Sequence, residues 1–379
     1  MLTTLAVSGY RSLREVTVPL GALTVITGTN GSGKSNLYRA LRLLAGAGRG
    51  DIVGTLAREG GLPSALWAGP EHGGGHATMR QGPVAVRLGF ASDELGYLID
   101  LGIPQAGTSS PFSRDPEIKR EQVFAGAVAK PATLLIDRHR AHTRVRQERW
   151  VDLHQQLAPF ESIVTDLADG DTAPELLSLR RTLSGWRFYD HFRVDGDAPA
   201  RRAQIGTRSH TLAHDGSDIA AVWATILDAG QGAPLASAID HAFPGCRVEV
   251  TAVDGLFQLA VHQPGLLRPL SAGELSDGTL RYILLCAALL PARPASLIVL
   301  NEPESSLHPA LWEPLTALIA SAAERTQVIV VSHARELIER LARGAHPEGV
   351  RIELESDPDG TRVAGQGLVD APAWTWPSR

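Results

Sequence analysis

Gly28-Thr29-Asn30-Gly31-Ser32-Gly33-Lys34-Ser35 is the first place in the chain where residue types and spacing could do chemistry. Its glycines fit the G-x-x-x-x-G-K-S pattern, in which backbone N–H groups close around phosphate oxygens and the following helix aims its positive end at them. Lys34 is placed to contact the β and γ phosphates of a nucleoside triphosphate, and Ser35 to give a hydroxyl to the Mg2+ that bridges them. Asn30, Gly31, Ser32, Gly33 and Asn36 complete the set expected around the phosphates. Far along the chain, Leu297-Ile298-Val299-Leu300 runs into Asn301-Glu302-Pro303-Glu304. Polar groups at such a strand end lie where open α/β sheets bind ligands. A carboxylate at Glu302 can position or deprotonate a water for attack on a γ phosphate. A helix-capping glutamate is the alternative reading of the same residue.

These groups need a strand, a loop and a helix in order, and the surrounding sequence supplies them. Leu2 to Val7 and Val16 to Pro19 flank Gly9-Tyr10-Arg11-Ser12 as a hairpin, and Leu23-Thr24-Val25-Ile26-Thr27 is an apolar strand entering the glycine loop. Behind the loop, Leu37, Ala40, Leu41 and Leu44 recur at helical spacing, with Gly46 expected to end the helix. The glycine-rich stretch 45–82 reads as a flexible connection. From Pro83 to Asp137 short apolar runs alternate with turn residues, which predicts an antiparallel β-region. Trp150, Leu153, Leu157, Phe160, Val164 and Leu167, then Leu176, Leu179 and Leu183, follow helical spacing and predict a helical lobe. Another helix is expected from Ser217, as N-cap, to Gly230. Strands return at Cys246 to Val250 and Leu256 to His262, followed by a helix over Ser276 to Leu290, the strand Leu297 to Leu300, a helix opening at Pro309 and the strand Val328 to Val331. Continuous apolar strands alternating with helices mark a parallel sheet covered on both faces. The expected organisation is an α/β fold with a split head: residues 1–75 with the loop, 76–145 as a β-rich extension packed on it, 146–243 as an inserted helical lobe, and 244–379 as the rest of the head. No heptad pattern is sustained, which argues against long coiled-coil arms.

The glycine loop, Leu275-Ser276-Asp277-Gly278-Thr279, Leu297 to Glu304 and Ser332-His333 together resemble the ordered motifs of ABC-type ATPase heads, P-loop NTPases of the RecF, SMC and OLD-like group. Gly9-Tyr10-Arg11-Ser12-Leu13 and Trp186 to Phe192 are similar to segments of RecF-like bacterial AAA-type ATPases. The resemblance implies an Mg2+-dependent ATPase in which two heads close as a homodimer around two ATP molecules. In that comparison Ser276 and Gly278 of one copy contact the γ phosphate held by the other, His333 senses that phosphate, and Arg11 lies near the nucleotide. Asn301 and Glu302 face the magnesium together with Ser35. Two departures bear on turnover. Asn301 stands where the commonest pattern has Asp, and its amide has no charged oxygen for the magnesium shell, although Glu304 can restore part of that charge. His308 stands near the usual place of another Asp. Taken alone, Ser276 also reads as a plain helix cap, His333 as a structural histidine and Arg11 as a surface arginine.

The settings so implied are DNA repair, genome maintenance and phage defence. A nucleotide-gated switch for a protein partner, with slow hydrolysis, is the second reading, and a transporter ATPase subunit the third. The tail beyond His333 has room for a helix and a strand, not for a second catalytic domain such as the nuclease of OLD-like enzymes.

Composition narrows the classes further. A hydrophobic share of 44% and a charged share of 20% over 379 residues suit a folded soluble protein, and no apolar run approaches a membrane span. Met1-Leu2-Thr3-Thr4-Leu5 lacks the regions of an export signal, so the expected location is cytoplasmic, with no membrane partner. Cys246 and Cys286 read as buried free thiols. The formal charge of −5 excludes an overall basic coat and leaves only local patches for nucleic acid. Arg138-His139-Arg140-Ala141-His142-Thr143-Arg144-Val145-Arg146, with Arg149 and Trp150, is such a patch, able to contact DNA or RNA phosphates or to stand as a solvated face. Arg180, Arg181, Arg187, Arg193, Arg201 and Arg202 would enlarge it, whereas the aromatics from Trp186 to Phe192 read as core. His139, His142, His210 and His214 lack a metal-ligand pattern, so no structural metal is expected.

Overall fold

Alternating apolar residues at the amino terminus form the expected hairpin, β1 (Leu2–Tyr10) pairing antiparallel with β2 (Leu13–Pro19). The computed structural model describes residues 1–67, 69, 85–104, 112, 114–167, 173–343, 349–367 and 370–378. It divides the chain into a first unit of Met1–Gly21, Ile26–Trp186 and Val350–Arg379 and a second of Ala22–Val25 and Arg187–Gly349. The dividing point at Trp186 falls inside the stretch 146–243 read from sequence as one helical lobe.

In the first unit, β3 (Leu23–Gly28), whose first residues belong to the second unit, delivers the chain into the glycine loop and then α1 (Lys34–Arg49). Leu37, Leu41 and Leu44 form the buried stripe of α1, as their spacing predicts. Gly46 does not end this helix; it continues to Arg49 and is closed by Gly50 in the left-handed region at φ 72°. The glycines inside it serve close packing instead, since a Cβ at Gly48 would stand 2.4 Å from that of Leu183. Much of the supposed flexible connection is helical, α2 (Ile52–Arg58) and α3 (Leu62–Ala65), while the rest of it, 68 and 70–82, lies outside the described residues.

The β-region follows as β4 (Ala85–Ser92), β5 (Leu95–Gly102), β6 (Glu117–Ala125), β7 (Leu134–His139), β8 (His142–Arg146) and β9 (Trp150–Leu153). With the first hairpin these make an eight-stranded antiparallel sheet of order β2-β1-β4-β5-β6-β7-β8-β9. Helical spacing from Trp150 to Leu167 misled: Trp150 begins an edge strand with the Arg144 guanidinium 4.6 Å from its ring centre, and Phe160 is exposed. Among the described residues there, only α4 (Ile163–Asp166) and α5 (Pro174–Gly185) are helical, and α5 packs on α1 through the Gly48–Leu183 approach.

The second unit opens with β10 (Arg187–Tyr189), β11 (Gln204–Ile205), α6 (Ile219–Asp228) and α7 (Gly232–Ala242). Asp218 rather than Ser217 precedes α6, and its carboxylate accepts from the Ala213 amide and the Ser209 hydroxyl. Next come β12 (Arg247–Val253), β13 (Leu256–His262), β14 (Leu270–Ser271), α8 (Asp277–Leu289), β15 (Leu297–Asn301), α9 (Trp312–Ala323), β16 (Gln327–Val331) and α10 (Arg335–Arg343). β11, β13, β12 and β14 form a small antiparallel sheet. β10, β15 and β16 are parallel, and the Val328 amide donates to the Ala22 carbonyl at 2.8 Å. Leu297 to Leu300 are all buried, as a strand covered on both faces requires. One core joins Leu23 and Val25 to Trp223, Tyr282, Ile298, Leu315 and Val330. β17 (Gly349–Asp357) and β18 (Gly360–Val363) then pair as a hairpin whose residues from Val350 return to the first unit. Cys286 is buried, while Cys246 is only half-buried.

Candidate functional site

The two groups of candidate residues fall in different units, so each has its own geometry. In the first unit, Gly28, Gly31 and Gly33 hold φ of 149°, 81° and 100°, values that side chains disfavour. A Cβ on Gly28 would strike the Leu354 carbonyl at 2.3 Å, and one on Gly33 the Thr361 hydroxyl at 2.2 Å, so neighbouring backbone and side chains press on the loop. Lys34 Nζ donates to the carbonyls of Gly28 and Thr29 at 2.7 and 2.9 Å, folding the lysine over the loop. Ser35 is exposed in the first turn of α1, and Asn36 Nδ2 donates to Ser12 Oγ at 2.8 Å.

Anionic chemistry fits this place. α1 has no side-chain cap and no acidic residue in its first turn, so no side chain of the helix start opposes an anion at its positive end. Ser32 Oγ is buried without a hydrogen-bond partner, a polar atom that a ligand oxygen would satisfy. Arg11, expected near the nucleotide, pairs with Glu59 at 2.8 Å.

In the second unit, β15 delivers Asn301 half-buried and then Glu302, which sits at φ 49°. A left-handed glutamate costs about 1–2 kcal/mol, and such strain gathers at functional positions. Its backbone is pinned on both sides: the amide donates to the Val331 carbonyl at 2.8 Å, and its carbonyl accepts from Arg281 Nη2 at 3.2 Å. The carboxylate stays partly exposed and meets His333 Nδ1 at 3.0 Å. Glu304 is buried; Ser332 Oγ donates to one of its oxygens at 2.5 Å, and the other has no partner. Ser276 caps α8 by accepting from the Thr279 amide at 3.2 Å, and Gly278 lies close to the Ser306 backbone. His308 caps the turn at Pro309, accepting from the Ala310 amide.

Of two buried arginines, Arg281 was not singled out by sequence and Arg201 was counted only toward the basic patch. Arg281 is 1% exposed, and burial pulls its pKa below the usual arginine value although Glu304 and Glu302 oppose this. A cation inside the apolar run Leu280-Arg281-Tyr282-Ile283 was the signal available for it. Arg201 donates to the carbonyls of Val194, Ala272 and Leu275 and to Asp277, fixing the segment that ends in Ser276. Arg138, counted in the basic patch, is likewise buried, paired with Glu121 at 2.7 Å. The patch is therefore not one solvated face. Among the described residues no group of three or more His, Cys, Asp or Glu could hold a metal, and no helix is long and apolar enough to cross a membrane.

A family profile described as "AAA domain, putative AbiEii toxin, Type IV TA system" matches residues 23–339. A stretch of 46 residues is 46% identical to a protein named OLD nuclease from Thermus scotoductus, spanning 12% of this chain and 9% of that relative's length. Among solved structures, the SMC head domain from Thermotoga maritima has a TM-score of 0.51 at 15% identity over 97% of this chain and 99% of that one. An Smc head domain from Pyrococcus furiosus, solved with an extended coiled coil and bound to the C-terminal domain of ScpA, has a TM-score of 0.52 at 13% identity over 97% and 96%. At these identities the likeness is one of fold.

Proposed function

The chain belongs to the AAA-domain family matched over residues 23–339, and from that premise we propose that it is an Mg2+-dependent ATPase whose two copies close around two ATP molecules. The observation that carries the reading is the phosphate loop: left-handed glycines, an uncapped helix start and a lysine folded over the loop carbonyls. Lys34 would exchange those carbonyls for the β and γ phosphates, and the first amides of α1 would take the remaining oxygens. Ser35 would ligate Mg2+, with Asn301 and Glu302 facing it and Glu304 lending charge; bound there, the ion neutralises the phosphate oxygens. Glu302, held by its backbone contacts and by His333, would align the attacking water and accept its proton. His333 would then report on the γ phosphate, and Ser276 and Gly278 would present the start of α8 to the nucleotide of the other copy.

Residence in the cytoplasm and work in DNA repair, genome maintenance or phage defence belong to the same proposal. Asn301 favours a second reading, a nucleotide-gated switch for a protein partner with slow hydrolysis, because its amide brings no charge to the metal. Direct DNA contact would rest on Arg140, Arg146 and Arg149, which are exposed.

ATP turnover and ATP-dependent dimerisation, measured with and without DNA, test the proposal. Lys34→Ala should lose ATP binding, and Glu302→Gln should hold an ATP-bound dimer with turnover lowered about 100-fold or more. Normal turnover by Glu302→Gln would remove its role as base. Unchanged turnover and no binding across DNA substrates would favour the partner switch.

A further inference from the structure

The turn between β1 and β2 ends against the phosphate loop. Ser12 Oγ accepts from Asn36 Nδ2 at 2.8 Å, lies 2.8 Å from Thr361 Oγ1, and would stand 3.0 Å from a Cβ on Gly33. Arg11, one residue earlier, is itself left-handed at φ 50° and donates its amide to the Ala65 carbonyl at 2.8 Å. Its guanidinium turns to Glu59, just past the end of α2: Nη2 and Nε donate to Oε2 at 2.8 and 3.3 Å. Tyr10 Oη donates to that same oxygen at 2.6 Å. The side chains of Arg11 and Glu59 are 24% and 17% exposed.

We infer that Glu59 is a built-in counter-ion for Arg11 that the nucleotide polyphosphate displaces, so that an acidic residue outside the phosphate loop holds nucleotide affinity down. The inference rests on the ATP-binding reading of the loop. A guanidinium fork suits phosphate as well as carboxylate, and a triphosphate offers several charges against one. Tyr10 makes the exchange cheap: its hydroxyl remains on Glu59 when Arg11 leaves, so the half-buried carboxylate keeps a donor. Glu59 thus acts through Arg11, as a positioning residue.

The full chain, titrated with the non-hydrolysable analogue AMP-PNP and Mg2+ by calorimetry, tests this in wild type, Glu59→Gln, Arg11→Ala and the double variant. Glutamine keeps an acceptor for Tyr10 and removes the charge. Glu59→Gln should tighten binding about two- to fivefold, the range of a part-exposed charge pair, and the gain should shrink as salt is raised. Arg11→Ala should weaken binding, and adding Glu59→Gln to it should change nothing more. A merely structural Glu59 would move the melting temperature and not this coupling. Affinity that is unchanged or weakened in Glu59→Gln, or tightened equally without Arg11, overturns the inference. Glu59→Asp, which draws the carboxylate back by one methylene, supplies the same comparison should the glutamine variant fail to fold. If wild type binds no AMP-PNP and Lys34→Ala behaves identically, the ATP reading itself falls and takes this one with it. Normal wild-type binding with a failed Glu59 result falls on the counter-ion alone.

Discussion

Arg201 shows how a single side chain can fix the geometry of a site it does not enter. Its guanidinium reaches the carbonyls of Val194, Ala272 and Leu275, while its partner Asp277 is largely solvated, so the carbonyls matter more than the ion pair. Truncation to alanine would leave those acceptors dry. We expect Arg201→Ala to lower stability by about 2–4 kcal/mol in urea unfolding with an unchanged slope. A loss below about 0.5 kcal/mol would mean that water replaces the guanidinium. In the sequence Arg201 was simply one of a run of basic residues, because a letter carries charge and not burial. Lys34 and Glu302 were legible for the opposite reason: their chemistry fixes spacing to glycines and to an apolar strand end. Glu59 had no such neighbour pattern, and its partner Arg11 is 48 residues away in the chain.

Among the elements, the phosphate loop separates steric from conformational demands. Gly31 and Gly33 both have positive φ, yet a Cβ at Gly31 meets nothing within 4 Å while one at Gly33 runs into Thr361. Gly31→Ala should therefore cost only the left-handed penalty, about 1–2 kcal/mol, and keep measurable ATP binding. Gly33→Ala should cost about 1–3 kcal/mol more and abolish binding, since Thr361 and Ser12 must shift. Thermal unfolding and calorimetry on the two variants decide this; equal losses would show that backbone angle alone governs the loop. β3, α1 and β15 were readable because period and burial agree in them. Glycines within α1 and the Trp150–Leu153 strand were not, because each answers to a neighbour distant in sequence. Gly48 answers to Leu183 and Trp150 to Arg144, and a one-dimensional period records neither.

At the scale of the whole molecule, Ala22–Val25 belongs with Arg187–Gly349 although the residues on either side of it belong elsewhere. Leu23 and Val25 are buried in that core, and the Ala22 carbonyl accepts from Val328. A fragment of residues 187–349 should accordingly bind a hydrophobic dye and unfold without cooperativity, whereas the same fragment joined to residues 22–28 should regain a sharp transition. Cooperative unfolding of the fragment alone would show the strand to be dispensable. The fold class was legible from alternating apolar strands and helices, but the dividing point at Trp186 was not, since it depends on α5 packing against α1. The same strand sets a clock on the ribosome. Leu23 and Val25 emerge early, and the strand they accompany emerges roughly 300 residues later, about 15–60 s at ordinary elongation rates. Through that interval the segment that carries the phosphate loop has an apolar strand awaiting its neighbour, which makes the nascent chain a client for whatever shields hydrophobic segments during synthesis.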